Sequence, residues 1–313
     1  MEEFAIRVHT AMRTGGEAVD LRMLPRPART DDLDVHGIHV LEAHPITLFG
    51  DGGCAKSYVA LFIAGELAKR GLTVLYADWE LSGDDHRDRL ERLFGANMPA
   101  MLYARCSRPM SAEADRLRRL VRQHNVAYLV CDSVAFACDG RPEDAEVAAR
   151  YFQALRQIGV GSLNVAHTNR SEDADKKPFG SAFWHNGARA TWNLKISNDA
   201  RPGEIVVGAY NRKANLGPLL PAVGFRIAFS PERTHITRVD LGTVDDLAAG
   251  LPLWQRMKQA VTHHPQTLTA LADELGAKTD TLDRTVRRYN KTFTRVPGVD
   301  GVSKIALVHG ASA

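Results

Sequence analysis

One stretch limits the folds open to this chain more than any other: Ile46-Thr47-Leu48-Phe49-Gly50-Asp51-Gly52-Gly53-Cys54-Ala55-Lys56-Ser57. Its first four residues, apolar or β-branched, read as a buried strand. A glycine-rich turn follows, then Lys-Ser, then an apolar run over 58–67 that reads as a helix ending at Gly71. Strand, turn, Lys-Ser and helix is the context that a phosphate-binding loop needs. Glycines let successive backbone N–H groups point at one anion, and the helix N-terminus adds positive partial charge. Residues 50–58 (Gly50, Asp51, Gly52, Gly53, Cys54, Ala55, Lys56, Ser57 and Tyr58) are the expected nucleotide contacts. Lys56 is placed for the β- and γ-phosphates of ATP and the Ser57 hydroxyl for Mg2+. The run departs from G-x-x-x-x-G-K-[ST] at one point, where Ala55 replaces the glycine before the lysine. The departure adds a methyl group and no charge, so binding is expected to survive.

The 313 residues suffice for about two domains, or one large domain with an appendage. At 44% hydrophobic and 25% charged residues the composition is that of a soluble globular protein. No apolar run approaches the roughly 20 residues of a membrane span, and the start of the chain, with Glu2 and Glu3, lacks the apolar core of a signal peptide. Cys54, Cys106, Cys131 and Cys138 form neither C-x-x-C pairs nor a disulfide framework, which points to a reducing cytoplasm. The net charge of +3 is unevenly spread. Residues 251–313 hold nine Lys and Arg against five Asp and Glu, so the basic excess belongs to the C-terminal piece and hints at nucleic acid contact there.

Along the chain, 1–35 lacks periodicity, is broken by Pro25 and Pro27, and reads as an N-terminal arm. Residues 36–242 alternate strands and helices, the pattern of an α/β domain with a mostly parallel sheet flanked by helices. The strand at 72–77 ends at Asp78-Trp79-Glu80; that at 126–131 delivers Asp132, the strand-end carboxylate of a Walker B arrangement; that at 161–166 ends at His167. Ligands collect at the carboxyl ends of such strands, and Lys56, Glu80, Asp132 and His167 all fall there. Asp132 joins Ser57 as an expected Mg2+ ligand. The polar segment 171–186 carries Lys176 and Lys177 and is long enough to be a functional loop. Strands are expected at 188–195, 203–211, 225–229 and 235–239, with Arg212 and Lys213 at a turn. After a linker at 243–250, residues 251–313 read as three helices and a β-hairpin, a winged helix-turn-helix. Thr279 is placed to cap the third helix, which carries Arg284, Arg287 and Arg288 with Lys291 beyond them. These four, with Lys176 and Lys177, are the expected DNA contacts. The pair His263-His264 lacks further ligands at tetrahedral spacing and reads as a helix end rather than a metal site.

Over about residues 35–235 the chain resembles the RecA-like hexameric replicative DNA helicases, particularly the small plasmid type called RepA-like. The resemblance rests on the phosphate loop, Glu80, Asp132 and His167. It also rests on Pro178-Phe179-Gly180-Ser181, Asn186-Gly187-Ala188-Arg189 and Lys213-Ala214-Asn215. It implies a RecA-like P-loop NTPase core in which Glu80 polarises the attacking water and His167 senses the γ-phosphate. Arg189 and Lys213 would reach the nucleotide of a neighbour in a homo-oligomeric, hexameric ring. Ala55 departs from the family's loop, there is no N-terminal domain of the DnaB type, and the winged helix is extra. The reading is an ATP-hydrolysing motor on single-stranded DNA, with duplex DNA at the winged helix and no membrane partner. Two others share its residues: a filament-forming recombination or repair ATPase, and a nucleotide-switched DNA-binding regulator or loader, whose winged helix docks DNA or a protein.

Overall fold

The computed structural model describes Glu3 and residues 18–25, 32–168, 177–199, 201–298 and 301–308. Most of the expected arm, and Lys176 with the stretch 169–175 before it, lie outside the described residues. The chain divides into two units, 1–31 and 32–313. In the first, the described residues include a 3-10 turn, Leu21–Met23, capped by Asp20, whose carboxylate accepts from the Arg22 amide and pairs with its guanidinium.

The second unit begins with a hairpin, part of which falls where the sequence alone suggests an arm: β1, Asp32–Val35, and β2, Ile38–Leu41, are antiparallel. His36 and Gly37 both have positive φ, and the Asp34 carboxylate accepts from the Gly37 amide at 2.6 Å, so side-chain chemistry supplies the turn. The α/β run follows: β3 Pro45–Gly50, α1 Lys56–Lys69, β4 Val74–Asp78, α2 Gly83–Phe94, β5 Leu102–Arg105, α3 Met110–His124 and β6 Tyr128–Asp132. Next come α4 Val134–Ala137, α5 Ala145–Ile158, β7 Gly161–His167, α6 Ala182–Gly187, β8 Ala190–Ile196, β9 Glu204–Ala214, β10 Val223–Phe229 and β11 Thr234–Val239.

These strands form one nine-stranded sheet in the order β11-β10-β9-β8-β3-β7-β6-β4-β5. The pairings from β8 through β5 are parallel, and β9, β10 and β11 extend the sheet antiparallel. Neighbouring residues of the central strands serve opposite faces. Leu48, Val130 and Val165 pack into the core beneath α1, while Phe49, Cys131 and Ala166 pack into the core beneath α3 and α5. Helices on both faces explain why β4 and β6 are buried at every position and read as continuous apolar runs. Each fully buried Leu, Val or Phe contributes about 1.5–3 kcal/mol.

The stretch expected as a linker is folded. Leu241–Thr243 is a 3-10 turn and α7, Asp245–Ala248, carries a fully buried Leu247 into a core with Val206, Tyr210, Leu241 and Leu251. The Tyr210 hydroxyl donates to the Leu247 carbonyl at 2.7 Å. Then come α8 Leu253–Ala260, β12 Gln266–Thr267, α9 Leu268–Leu275, α10 Thr279–Arg288, β13 Phe293–Pro297 and β14 Ser303–Leu307. The strands pair antiparallel in the order β12-β14-β13 around a core of Met257, Leu271, Leu282, Val286, Phe293 and Ile305. One local expectation changes. Thr279 is the first helical residue of α10, whose cap position belongs to Lys278 and has no side-chain bond, whereas Thr267 caps α9 by accepting from the Ala270 amide. Gln255 ties this region to the sheet, accepting from the Ala222 amide at 2.8 Å and donating to its carbonyl at 3.2 Å. No helix among the described residues is long and apolar enough to cross a membrane.

Candidate active site

Between β3 and α1 the backbone makes two left-handed turns in three residues, at Gly53 (φ 79°) and Ala55 (φ 59°, ψ 28°). Glycine suits the first; alanine at the second costs about 1–2 kcal/mol against a right-handed residue. Gly50 answers a different need, because a Cβ there would lie 2.5 Å from the Leu194 carbonyl. Lys56 is 7% exposed, and its ammonium lies back across the loop, donating to the Asp51 carbonyl at 2.6 Å. The loop is also tied to the end of β7: Thr168 donates its amide to the Gly50 carbonyl (3.2 Å) and its hydroxyl to the Asp51 carboxylate.

Asp132 closes β6 and is 2% exposed. Its Oδ2 accepts from the Tyr76 hydroxyl at 2.7 Å, while its Oδ1 is buried with no hydrogen-bond partner. Burial raises its pKa, opposed by hydrogen bonds from Tyr76 and from Ser57 on the first turn of α1. A buried carboxylate oxygen with nothing to accept, beside a serine hydroxyl, fits a hydrated divalent cation that takes its other oxygens from phosphate and water. No group of three or more His, Cys, Asp or Glu side chains that could hold a metal is found among the described residues.

Glu80 is exposed, two residues beyond the end of β4. The chain reaching it is pinned on both sides, with the Trp79 amide donating to the Asp132 carbonyl at 2.7 Å and the Cys106 amide to the Asp78 carbonyl at 2.8 Å. His167 closes β7; burial and then the Lys56 charge lower its pKa, against the opposing pull of Glu80, Asp132 and Asp51, which keeps the imidazole neutral at pH 7. Lys56, Asp132 and His167 lie at the carboxyl ends of neighbouring parallel strands or just beyond them, with Glu80 two residues past the end of β4. The His167 carbonyl accepts from the Phe179 amide at 2.8 Å, and Thr168 bridges to Pro178, so the segment after the 171–176 stretch returns to the same strand end.

The expected trans-acting residues are placed differently from one another. Arg189 is exposed between α6 and β8. Lys213 lies on β9, not in a turn, and its ammonium donates to the carbonyls of His185, Asn186 and Ala188 at 2.8, 3.0 and 2.7 Å. Those bonds use the three protons of the group within its own chain, at the C-terminal end of α6. The register of β9 explains why the expected strand runs on through the expected turn: Thr191 pairs with Lys213 and Trp192 with Asn211, so Arg212 is the extra residue of a β-bulge, its guanidinium 4.9 Å from the Tyr210 ring. Lys177 is exposed beside the segment that bonds His167. Far along the chain, Arg284, Arg287, Arg288 and Lys291 are exposed on and just after α10, whose other face buries Leu282 and Val286. Arg287 pairs with Asp283 at 2.6 Å, and Arg295 of β13 bonds the same carboxylate. Tyr76, Asp78 and Thr168 were not expected at the site: each bonds a residue remote in the chain, Tyr76 to Asp132, Asp78 to Tyr103 and Arg105, and Thr168 to Asp51, and the sequence marks only Asp78 and Thr168, as polar residues closing apolar strands.

Comparison with known proteins places the fold. Residues 19–173 match the sequence profile of a family described as AAA domain. Among solved structures, one described as an ATPase domain aligns with a TM-score of 0.53 and 11% identity, over 64% of this chain and 86% of that one. A DnaB-like replicative helicase, described with its interactions with primase, aligns with a TM-score of 0.52 and 12% identity, over 64% of this chain and 59% of that one. Comparison with curated proteins gives no match. Strand order and these neighbours together show a RecA-like fold.

Proposed function

We propose that this chain, with its RecA-like fold, hydrolyses ATP and couples the reaction to movement on single-stranded DNA as a homo-oligomeric, hexameric ring. The observation that carries the reading is the meeting of Lys56, Ser57, Glu80, Asp132 and His167 at the carboxyl ends of β3, β4, β6 and β7 and the start of α1. Lys56 places its charge against the β- and γ-phosphates, exchanging the Asp51 carbonyl for phosphate oxygen. Ser57 and Asp132 are the residues that would hold Mg2+, which supplies charge neutralisation on the phosphates. Glu80, exposed on a pinned turn, orients the attacking water. Neutral His167 meets the γ-phosphate and passes its state to the Phe179 segment through the main-chain bond between them. Arg189 is the better placed residue for a neighbour's nucleotide, because Lys213 is engaged at α6.

The DNA partner draws on two supports: the likeness to a replicative helicase, and the exposed basic groups at Lys177 and on α10. The helix and strand order of residues 253–307 supports reading them as a winged helix, with α10 as its recognition helix. A second reading, a nucleotide-switched DNA-binding regulator, is favoured by the folded connection through Tyr210, Leu247 and Gln255, which joins this module firmly to the sheet.

Unwinding of a forked duplex with ATP, run beside Lys56→Ala, tests the motor. The wild type should separate strands with single-stranded DNA stimulating its turnover, and Lys56→Ala should do neither. Turnover indifferent to single-stranded DNA and no strand separation would favour the regulator. Half or more of the wild-type ATP turnover in Lys56→Ala would sink the phosphate-loop assignment.

A further inference from the structure

Asp78 has no part in the chemistry above, yet its carboxylate is wholly buried at the end of β4. Its two oxygens do different things. Oδ1 accepts from the amides of Glu80 (2.9 Å) and Leu81 (3.0 Å), with His86 Nε2 3.5 Å away. Oδ2 accepts from the Tyr103 hydroxyl at 2.9 Å and from Arg105 Nη1 at 3.2 Å, both on β5. One oxygen closes a turn over Glu80, and the other ties that turn to the neighbouring strand.

A buried charge is costly unless hydrogen bonds repay its lost hydration. Here burial pushes the carboxyl up, but His86, the Leu81 and Glu80 amides and Tyr103 outweigh it and hold the pKa at about 2. The group is therefore ionised at any physiological pH, and its bonds are of the stronger, charge-assisted kind. A neutral strand end would satisfy the backbone just as well. What the charge adds is stiffness under one residue, and that residue is the exposed carboxylate proposed to orient water.

We infer that Asp78 is a positioning residue for hydrolysis: its carboxylate, held by Tyr103 and Arg105, fixes the turn 79–81 so that Glu80 meets the attacking water. The inference rests on the catalytic reading of Glu80. Misplacement of a reacting group by about 1 Å can cost on the order of 100-fold in rate, so even a small relaxation of this turn should be visible in turnover and not in binding.

The experiment compares Asp78→Asn, Tyr103→Phe, Glu80→Gln and the double variant Asp78→Asn/Glu80→Gln, measuring steady-state ATP turnover and the affinity of a fluorescent ATP analogue. Asp78→Asn keeps an acceptor for the two amides but turns an NH2 toward Tyr103 and Arg105. It should lower kcat about 10- to 100-fold with affinity within about twofold. Tyr103→Phe, which removes one donor at a part-exposed site, should lower kcat about two- to fivefold. In the Glu80→Gln background, Asp78→Asn should add no further loss, since the turn then holds nothing that reacts. Wild-type turnover in Asp78→Asn while Glu80→Gln is inactive would overturn the inference and leave the catalytic reading standing. Parallel loss of affinity and turnover would also overturn it, assigning Asp78 a merely structural role. If Asp78→Asn does not fold, Tyr103→Phe decides, and an unchanged kcat there overturns the inference. Normal turnover in Glu80→Gln would overturn the catalytic reading itself, and the inference with it.

Discussion

Ala55 is the residue at which this phosphate loop departs from its pattern, and the backbone explains what the departure costs. With φ at 59° it sits where an L-residue is strained, and its carbonyl already accepts the first bond of α1 from the Val59 amide at 2.9 Å. Ala55→Gly should therefore relieve about 1–2 kcal/mol of strain and return part of it as entropy of the unfolded chain. The expected net result is a gain of about 0.5–1 kcal/mol in thermal or urea unfolding, with ATP affinity unchanged or tighter. A less stable protein, or one that binds ATP markedly more weakly, would show that the methyl group packs to advantage. The methyl and its neighbours were legible in the sequence; the φ angle was not. The same holds for Asp78, which looked like the tail of a strand because two of its donors, Tyr103 and Arg105, come from β5. Local pattern names the residues at a strand end, but only the assembled sheet shows which face solvent and which are spent on holding others.

At the scale of elements, long periodic segments were readable and short ones were not. The helices α3 and α5 each bury one face and carry its period, while α1 and the central strands are buried on nearly all sides and read as unbroken apolar runs. β12 has two residues and no period of its own; it exists because β14 offers it an edge. The bulge at Arg212 turns an expected loop into strand, since register depends on the partner β8. α10 presents Arg284, Arg287 and Arg288 on one side, and Asp283 already shares its charge between Arg287 and Arg295. The triple variant Arg284→Ala/Arg287→Ala/Arg288→Ala should weaken duplex binding and flatten its dependence on log salt by about 0.9 for every phosphate left without its cation. Titrations at several salt concentrations give the slope. An unchanged slope would mean that the helix does not meet phosphate, and a protein would then be its better partner.

For the whole molecule, the informative relation is between two residues proposed to work on one nucleotide from different copies, Lys56 beyond the carboxyl end of β3 and Arg189 at the amino end of β8. Lys56 is buried in its own loop, whereas Arg189 is exposed. If Arg189 serves a neighbour, Arg189→Ala and Lys56→Ala should each lose most of their turnover alone, yet a one-to-one mixture should recover about a quarter of the wild-type rate. In random rings that is the share of interfaces with both residues intact. ATP turnover measured across mixing ratios checks this, and a mixture no better than its components would place Arg189 outside the reaction.

The sheet itself says something about how copies can meet. Its two ends are β5 and β11, and an unpaired strand edge invites a second molecule to continue the ladder. Both edges discourage this. β5 is only four residues long, and its end is Arg105, with the side chain half exposed; β11 carries Arg238 and His235 in exposed positions. A short β5 and an exposed arginine on β11 make both borders poor templates for continued main-chain pairing. Copies that associate are thereby steered toward joints made of loops and helix ends, which can open and close with a bound ligand, and away from a continuous main-chain ladder, which could not.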